Sequence, residues 1–100
     1  MSKLNTIIHQ PARLRIMSIL MSLDLDERVD FTFLKKQLSL TDGNLGAHLG
    51  KLVDAGYIDI DKTFVNKKPK SYVGLTCTGR DNFAEYLRAL NQIIESGKTV

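Results

Sequence analysis

The stretch TDGNLGAHLGKLVDAG, which runs from Thr41 to Gly56, decides the fold of this chain. Thr41 is a residue type that caps helices, because its hydroxyl accepts a hydrogen bond from a free N–H of the first turn. Gly56 can end the helix in the left-handed conformation that other side chains disfavour. The stretch therefore predicts one amphipathic helix. Its apolar residues follow the i, i+4, i+7, i+8 spacing of a single buried stripe, and they are Leu45, Leu49, Leu52 and Val53.

The outer face of this predicted helix is polar and small. An interior glycine costs a helix about 1 kcal/mol relative to alanine, so its glycines need an explanation. They let the helix lie close to another surface, such as the wall of a DNA groove, or the packing of the leucines simply tolerates them. At about 100° per residue the outer face presents Gly43, Asn44, Ala47, Gly50, Lys51 and Asp54, with Gly46 and His48 at its edges.

The segments before Thr41 predict two more helices. Pro11 is preset for a first helical position, because it has no N–H to lose there. Val29 to Phe31 is a candidate strand, and Thr32 is placed to cap a brief helix from Phe33 to Leu38. The next two residues make a tight turn into the Thr41 helix, which gives a helix-turn-helix arrangement. The apolar face of the Pro11 helix consists of Ile16, Met17, Leu20 and Leu23.

After Gly56 the apolar period changes from 3.6 to 2, which predicts a hairpin with strands from Tyr57 to Asp61 and from Ser71 to Thr76. The intervening FVNKKPK gives it a basic tip. Its lysines either keep the tip soluble and discourage edge pairing, or form a wing that contacts the DNA backbone or minor groove. The inward side chains are Ile58, Ile60, Val73 and Leu75, and the tip lysines are Lys67, Lys68 and Lys70.

A long helix is predicted from Cys77 to Ser96, capped by Thr76 and stopped by Gly97. Its apolar stripe is broader than a small domain needs to close its own core. We therefore predict that it forms part of a dimer seam with the N-terminal segment, although a helix of the chain's own core is the alternative. The predicted dimer contacts are Leu4, Ile7, Ile8, Phe83, Tyr86, Leu87, Leu90, Ile93 and Ile94.

Length and composition limit the class of protein. One hundred residues with a net charge of +3 fit a single domain. No apolar run approaches a membrane span and the N-terminus lacks a signal peptide, so we expect a cytoplasmic protein. Cys77, His9 and His48 show no metal-ligand spacing. We expect no metal, cofactor or enzymatic activity, because the chain has no nucleophile with a spaced histidine and acid and no glycine-rich phosphate loop.

With these residues in place, the chain resembles the winged-helix transcriptional regulators of the MarR and ArsR type, and most of all their short members. The likeness runs from about Ile8 to Leu90. It departs from the family at Gly46 and Gly50, where a serine and a lysine are usual, so we expect DNA affinity to be modest or to depend more on the wing. The matching motifs are PARLRIMSIL, FTFLKKQLSLTDGNLGAHLGKLVDAGYI, NKKPKS and LTCTGR.

The resemblance implies a mainly α fold with a small β-hairpin wing (α+β), a winged helix-turn-helix. It implies one domain over residues 1–100, with the N-terminal segment 1–10 and the C-terminal helix 77–96 as dimerisation elements. The implied function is a homodimeric transcriptional regulator that binds double-stranded operator DNA, with one recognition helix per half-site and a wing on each flank. The operator, the regulated genes, the direction of regulation and any small-molecule effector do not follow from the residues.

The predicted DNA contacts lie in the recognition helix and the wing. Asn44 can pair with an adenine edge, Ala47 can touch a thymine methyl, and Lys51 can hold phosphate or guanine. The contacts are Thr41, Asn44, Ala47, His48 and Lys51 in the helix, with Lys67, Lys68, Lys70 and Ser71 in the wing.

Three alternatives stay open. His48 either meets DNA or forms a hydrogen bond within the fold. Cys77 is either a redox-sensitive thiol or an inert filler. A winged helix whose wing lysines face the acids of a protein partner is the rival function.

Overall fold

Helices and strands form in the order that the sequence patterns predict. A computed structural model describes residues 4–98. The three strands make one antiparallel sheet in the order β1-β3-β2, so the mainly α winged helix-turn-helix predicted from the sequence is confirmed. In chain order the elements are α1 (Pro11–Met21), β1 (Val29–Asp30), α2 (Phe31–Leu38), α3 (Asp42–Asp54), β2 (Ile58–Val65), β3 (Lys68–Leu75) and α4 (Cys77–Lys98).

Helix α3 forms because both of its ends carry suitable residues. The Oγ1 atom of Thr41 accepts a hydrogen bond from the N–H of Asn44 at 3.1 Å, and Gly56 follows the helix with a φ of +80°, as predicted. The predicted stripe is wrong at Val53, which is 41% exposed. Val53 lies about 80° around the helix from Leu45, beyond the edge of the stripe. The stripe residues that are buried are Leu45, Leu49 and Leu52.

Helix α2 begins at Phe31 rather than at Phe33, since its cap is Asp30 and not Thr32. The Oδ1 atom of Asp30 accepts a hydrogen bond from the N–H of Thr32 at 3.0 Å. Aspartate is as good a helix N-cap as threonine, so Asp30, which comes first in the chain, caps the helix. The helix ends at Ser39, whose φ of 54° is left-handed.

The hairpin of β2 and β3 is longer than predicted. Its turn consists only of Asn66 and Lys67, with φ values of 53° and 65°. Two consecutive positive φ angles are typical of the type I′ turn, whose twist matches that of the flanking strands. Pairing therefore continues to the tip, where Val65 lies opposite Lys68. The short β1 joins the other edge of β3, with Val29 opposite Val73.

The core lies between α1, α2, α3, the inner face of the sheet and the first half of α4. The N-terminal segment makes a turn over residues 6–8. The side chain of Asn5 fixes this turn, because its Oδ1 accepts hydrogen bonds from the N–H groups of Ile7 and Ile8. The amide of Asn5 donates to the hydroxyl of Tyr57 at 2.7 Å. The N-terminal segment thus packs against its own chain.

Three of the predicted dimer contacts belong to this core instead. Ile8, Phe83 and Tyr86 are at most 3% exposed in the single chain, so they have no surface for a second copy. The periodicity of α4 marks its apolar side but does not show how much of that side its own chain covers.

The end of α4 also differs from the prediction. The helix runs through Gly97 to Lys98, so Gly97 does not stop it. Every residue from Asn91 to Gly97 is exposed. Among residues 4–98 no helix is long and apolar enough to cross a bilayer.

Candidate nucleic-acid interface

The outer face of α3 is a polar surface on a rigid element. The side chains of Thr41, Asn44, Ala47 and Lys51 are all exposed. Asp42, the one acid in the first turn of α3, has its carboxylate 2.9 Å from the Nζ atom of Lys35. This ion pair lowers the negative charge beside the helix N-terminus, where the free N–H groups favour an anion.

One ring nitrogen of His48 forms a hydrogen bond within the fold. The Nη1 atom of Arg13 donates to Nδ1 of His48 at 3.2 Å, and Nε of Arg13 donates to the carbonyl of Ile7. A guanidinium cannot accept a hydrogen bond, so Nδ1 is the acceptor and the proton of the neutral ring sits on Nε2. Burial, followed by the charge of Arg13, lowers the pKa of His48 from 6.5. His48 therefore forms the internal hydrogen bond of the alternative interpretation, and its Nε2–H remains a donor.

Two of the three glycines of α3 line a cleft between the helix and the sheet. At Gly43, Gly46 and Gly50 an added Cβ atom would meet no atom within 4 Å, so packing does not require glycine at these positions. Gly46 and Gly50 instead form part of the wall of an open cleft of about 290 Å³. We call it the helix–wing cleft, and its lining residues are Phe31, Gly46, Leu49, Gly50, Ile60, Lys62 and Ser71.

Strand alternation separates the wing residues onto two faces. Ile60, Lys62 and Phe64 follow one another on the face that looks towards α3, and β3 places Val73, Ser71 and Pro69 opposite them. Of the predicted wing contacts, Ser71 therefore lies in the helix–wing cleft and Lys67 lies in the turn.

Lys68 and Lys70 lie on the other face of the hairpin, opposite Val65 and Thr63. The Nζ atom of Lys70 is 3.3 Å from Oδ2 of Asp30. The N–H of Thr32 and, to a smaller extent, Lys70 lower the pKa of Asp30. Lys70 thus already has an internal partner, which the order of lysines in the sequence does not show.

Lys62 is the cleft residue that the sequence analysis missed. It lies two residues after Ile60 and faces Ser71 across the hairpin. The signal that would have identified it is the continuation of the two-residue period past Asp61, where the predicted strand ended too early.

A second cleft, of about 460 Å³, lies on the other face of the sheet and includes the exposed thiol of Cys77. Arg28 and Asp59 form an ion pair of 2.7 Å in its wall. In the part of the chain that the structure describes, no group of histidine, cysteine and acidic residues is arranged to hold a metal ion. The cleft lies away from α3, so it takes no part in the interface described above.

The predicted dimer contacts outside the core lie at the surface to different degrees. Leu4, Ile7 and Leu90 are partly buried against the core. The side chains that are most exposed are Leu87 at 43%, Ile93 at 48% and Ile94 at 49%.

Comparison with known proteins agrees with this geometry. Residues 12–94 match a family described as a winged helix DNA-binding domain. An uncharacterised protein of Methanocaldococcus jannaschii is 33% identical over 87 residues, which cover 87% of this chain and 91% of that protein.

Solved structures share the fold. The transcriptional regulator homologue protein of Pyrococcus horikoshii OT3 superposes with a TM-score of 0.82 at 28% identity, over 92% of this chain and 88% of that one. HlyU of Vibrio cholerae N16961 gives a TM-score of 0.61 at 22% identity, over 85% of this chain and 84% of that one. The transcriptional repressor BigR of Xylella fastidiosa gives 0.60 at 20% identity, over 87% and 80%.

Proposed function

This chain belongs to the winged helix DNA-binding domains, and from that premise we propose that it is a transcriptional regulator that binds specific double-stranded DNA as a homodimer. The observation that carries the proposal is the exposed, glycine-rich face of α3 beside the helix–wing cleft. The similarity to the transcriptional regulator homologue protein of Pyrococcus horikoshii OT3, at 28% identity, supports a regulatory role.

In the proposed complex α3 lies in the major groove. The exposed amide of Asn44 pairs with an adenine edge, the methyl of Ala47 contacts thymine, and Lys51 binds guanine or phosphate. The hydroxyl of Thr41 accepts a bond from the N–H of Asn44 and keeps its own proton to donate to a phosphate. Nε2–H of His48 is a further donor, since Arg13 occupies only Nδ1.

The wing contributes the salt-dependent part of the binding. Lys62 and Ser71 offer an ammonium and a hydroxyl to a sugar–phosphate strand that runs through the helix–wing cleft. Lys67 and Lys68 reach the backbone from the tip, where both are exposed. Lys70 contributes less, because its contact with Asp30 competes with phosphate.

The second copy of the chain covers the exposed part of α4. Leu87, Ile93 and Ile94 form the apolar surface, and Leu4, Ile7 and Leu90, which are partly buried against the core, are further proposed contacts. A two-fold dimer along this surface presents two α3 helices to one duplex, and half-sites one helical turn apart would match it.

Selection of bound duplexes from a random pool, with the native mass measured alongside, tests the proposal. We expect a two-fold symmetric site with half-sites roughly 10 base pairs apart and the mass of two chains per duplex. Lys51→Ala should weaken binding to the selected duplex, whereas Lys36→Ala, on the exposed side of α2, is the matched control. Failure to enrich any sequence would contradict specific recognition, and a one-chain complex would contradict the dimer.

A further inference from the structure

The tip of the wing carries an exposed aromatic side chain that the contacts proposed above do not use. Phe64 is 74% exposed and lies opposite Pro69 in the hairpin. Lys62 lies two residues before it on the same face, and the tip also carries Lys67 in the turn and Lys68 on the opposite face. A phenylalanine left in water at a protruding tip has apolar surface available for a partner.

The geometry of the turn fixes the direction of this side chain. Because Asn66 and Lys67 close the hairpin alone, the register is set up to the last pair and each tip residue is held on one face. Phe64 is on the face of Ile60 and Lys62, which looks towards α3. A duplex held against α3 therefore lies on the side of the hairpin to which Phe64 points.

The surroundings of Phe64 favour one class of partner. A ring with ammonium groups nearby suits a surface that has phosphates at its rims and base steps between them that an apolar side chain can enter, and the minor groove offers both. Its phosphates line the edges, and its sugars and base edges lie between them. Proteins that enter this groove insert apolar side chains such as phenylalanine or leucine between base steps and kink the duplex.

We propose that Phe64 is an apolar wedge that enters the minor groove of the bound duplex and unstacks one base step beside each major-groove half-site. The inference rests on the proposed function and adds a residue and a DNA deformation to it. Specificity then arises partly at steps that no side chain reads by hydrogen bonds, since pyrimidine–purine steps unstack most easily.

The test uses the full chain and a duplex obtained from the random pool, with 2-aminopurine placed in turn at positions outward from a half-site. The wild-type protein should raise the fluorescence of the probe at one flanking position, because unstacking relieves its quenching. Phe64→Ala should abolish that rise and weaken binding roughly ten-fold, the order found when a stacked aromatic is truncated. Phe64→Leu should keep most of both effects, since leucine also serves as a wedge.

Val65→Ala is the matched control, because it truncates an apolar side chain at the same tip but on the opposite face, where Val65 is 38% exposed. It should leave both measurements unchanged. If Phe64→Ala binds and unstacks like the wild type, or if a bound wild-type duplex shows no flanking rise, the wedge is overturned while the proposed function stands. If the wild type binds no duplex at all, both proposals fail together.

Discussion

At the scale of single residues, Gly50 in the helix–wing cleft is expected to affect folding stability and DNA binding in opposite directions. Gly50→Ala should raise the free energy of unfolding by about 0.5–1 kcal/mol, since an added Cβ meets nothing within 4 Å. The same methyl narrows the cleft that Gly50 lines, so DNA binding should weaken. Thermal unfolding and a duplex titration measure the two effects.

Gly43→Ala is the control for this experiment, because Gly43 is equally open but does not line the cleft. It should leave DNA affinity nearly unchanged. If Gly50→Ala also left affinity unchanged, the alternative that packing merely tolerates the glycines would be correct.

The burial of His48 and, to a smaller extent, the charge of Arg13 beside it predict a pH dependence of stability. The pKa of His48 is lowered from 6.5 in the folded chain, so the unfolded chain binds more protons just below that value. The free energy of unfolding should therefore have its full value above pH 6.5. It should decrease as the pH falls towards the lowered pKa of the folded chain. His48→Gln, which cannot titrate, should show a smaller decrease when urea unfolding is measured from about pH 8 to about pH 5.

His9→Gln is the comparison variant, because the ring of His9 contacts the hydroxyl of Tyr86 rather than a cation. An equal loss of pH dependence in both variants would show that the effect is not specific to His48. An unchanged slope in His48→Gln would exclude His48 as the titrating group.

At the scale of elements, the two faces of the wing predict different roles for its lysines. Lys62→Ala removes an ammonium from the helix–wing cleft and should reduce the dependence of log K on log salt by about one. Lys70→Ala removes a lysine on the other face that is 3.3 Å from Asp30, so it should change the salt slope less. Titrations of the selected duplex at several salt concentrations compare the two variants.

The folding stability of Lys70→Ala should be measured as well. The Lys70–Asp30 pair is partly exposed, so its loss should cost the fold at most about 1 kcal/mol. A larger salt effect for Lys70→Ala than for Lys62→Ala would mean that DNA approaches the wing from the other face.

Elements whose signals are local were the ones that sequence analysis could predict. Thr41, the leucine stripe and Gly56 define α3 within a few turns of chain, and the structure agrees except at Val53. The outer parts of the two wing strands, residues 62–65 and 68–70, were missed because exposed strands need no apolar alternation beyond Ile60. Their register depends on the type I′ turn, and Asn66-Lys67 is a weaker signal for it than Asn-Gly.

The side-chain contacts of the site were harder to predict than its helices and strands, because these contacts join segments that are distant in the sequence. Arg13 meets His48 across 35 positions and Lys70 meets Asp30 across 40. No periodicity carries that information. The family resemblance supplied the recognition helix and wing, but it could not assign Lys68 and Lys70 to the far face or Lys62 to the cleft.

At the scale of the whole molecule, burial divides α4 into a core half and a surface half. Phe83 is 3% exposed, and Phe83→Ala should destabilise the single chain by about 3–5 kcal/mol. Ile93 is 48% exposed on a stretch of helix whose residues are all exposed. A change at Ile93 should therefore act on assembly and leave the folding of each chain largely intact.

Ile93→Glu tests this division, since a carboxylate placed in an apolar dimer interface loses its hydration without gaining a partner. We expect the variant to sediment as a monomer with near wild-type helical content. Its DNA affinity should fall steeply, because each monomer then binds one half-site without the second recognition helix. Gln92→Glu adds the same charge at the adjacent exposed position and should keep the dimer. A dimer that survives Ile93→Glu would place the second copy elsewhere on the molecule.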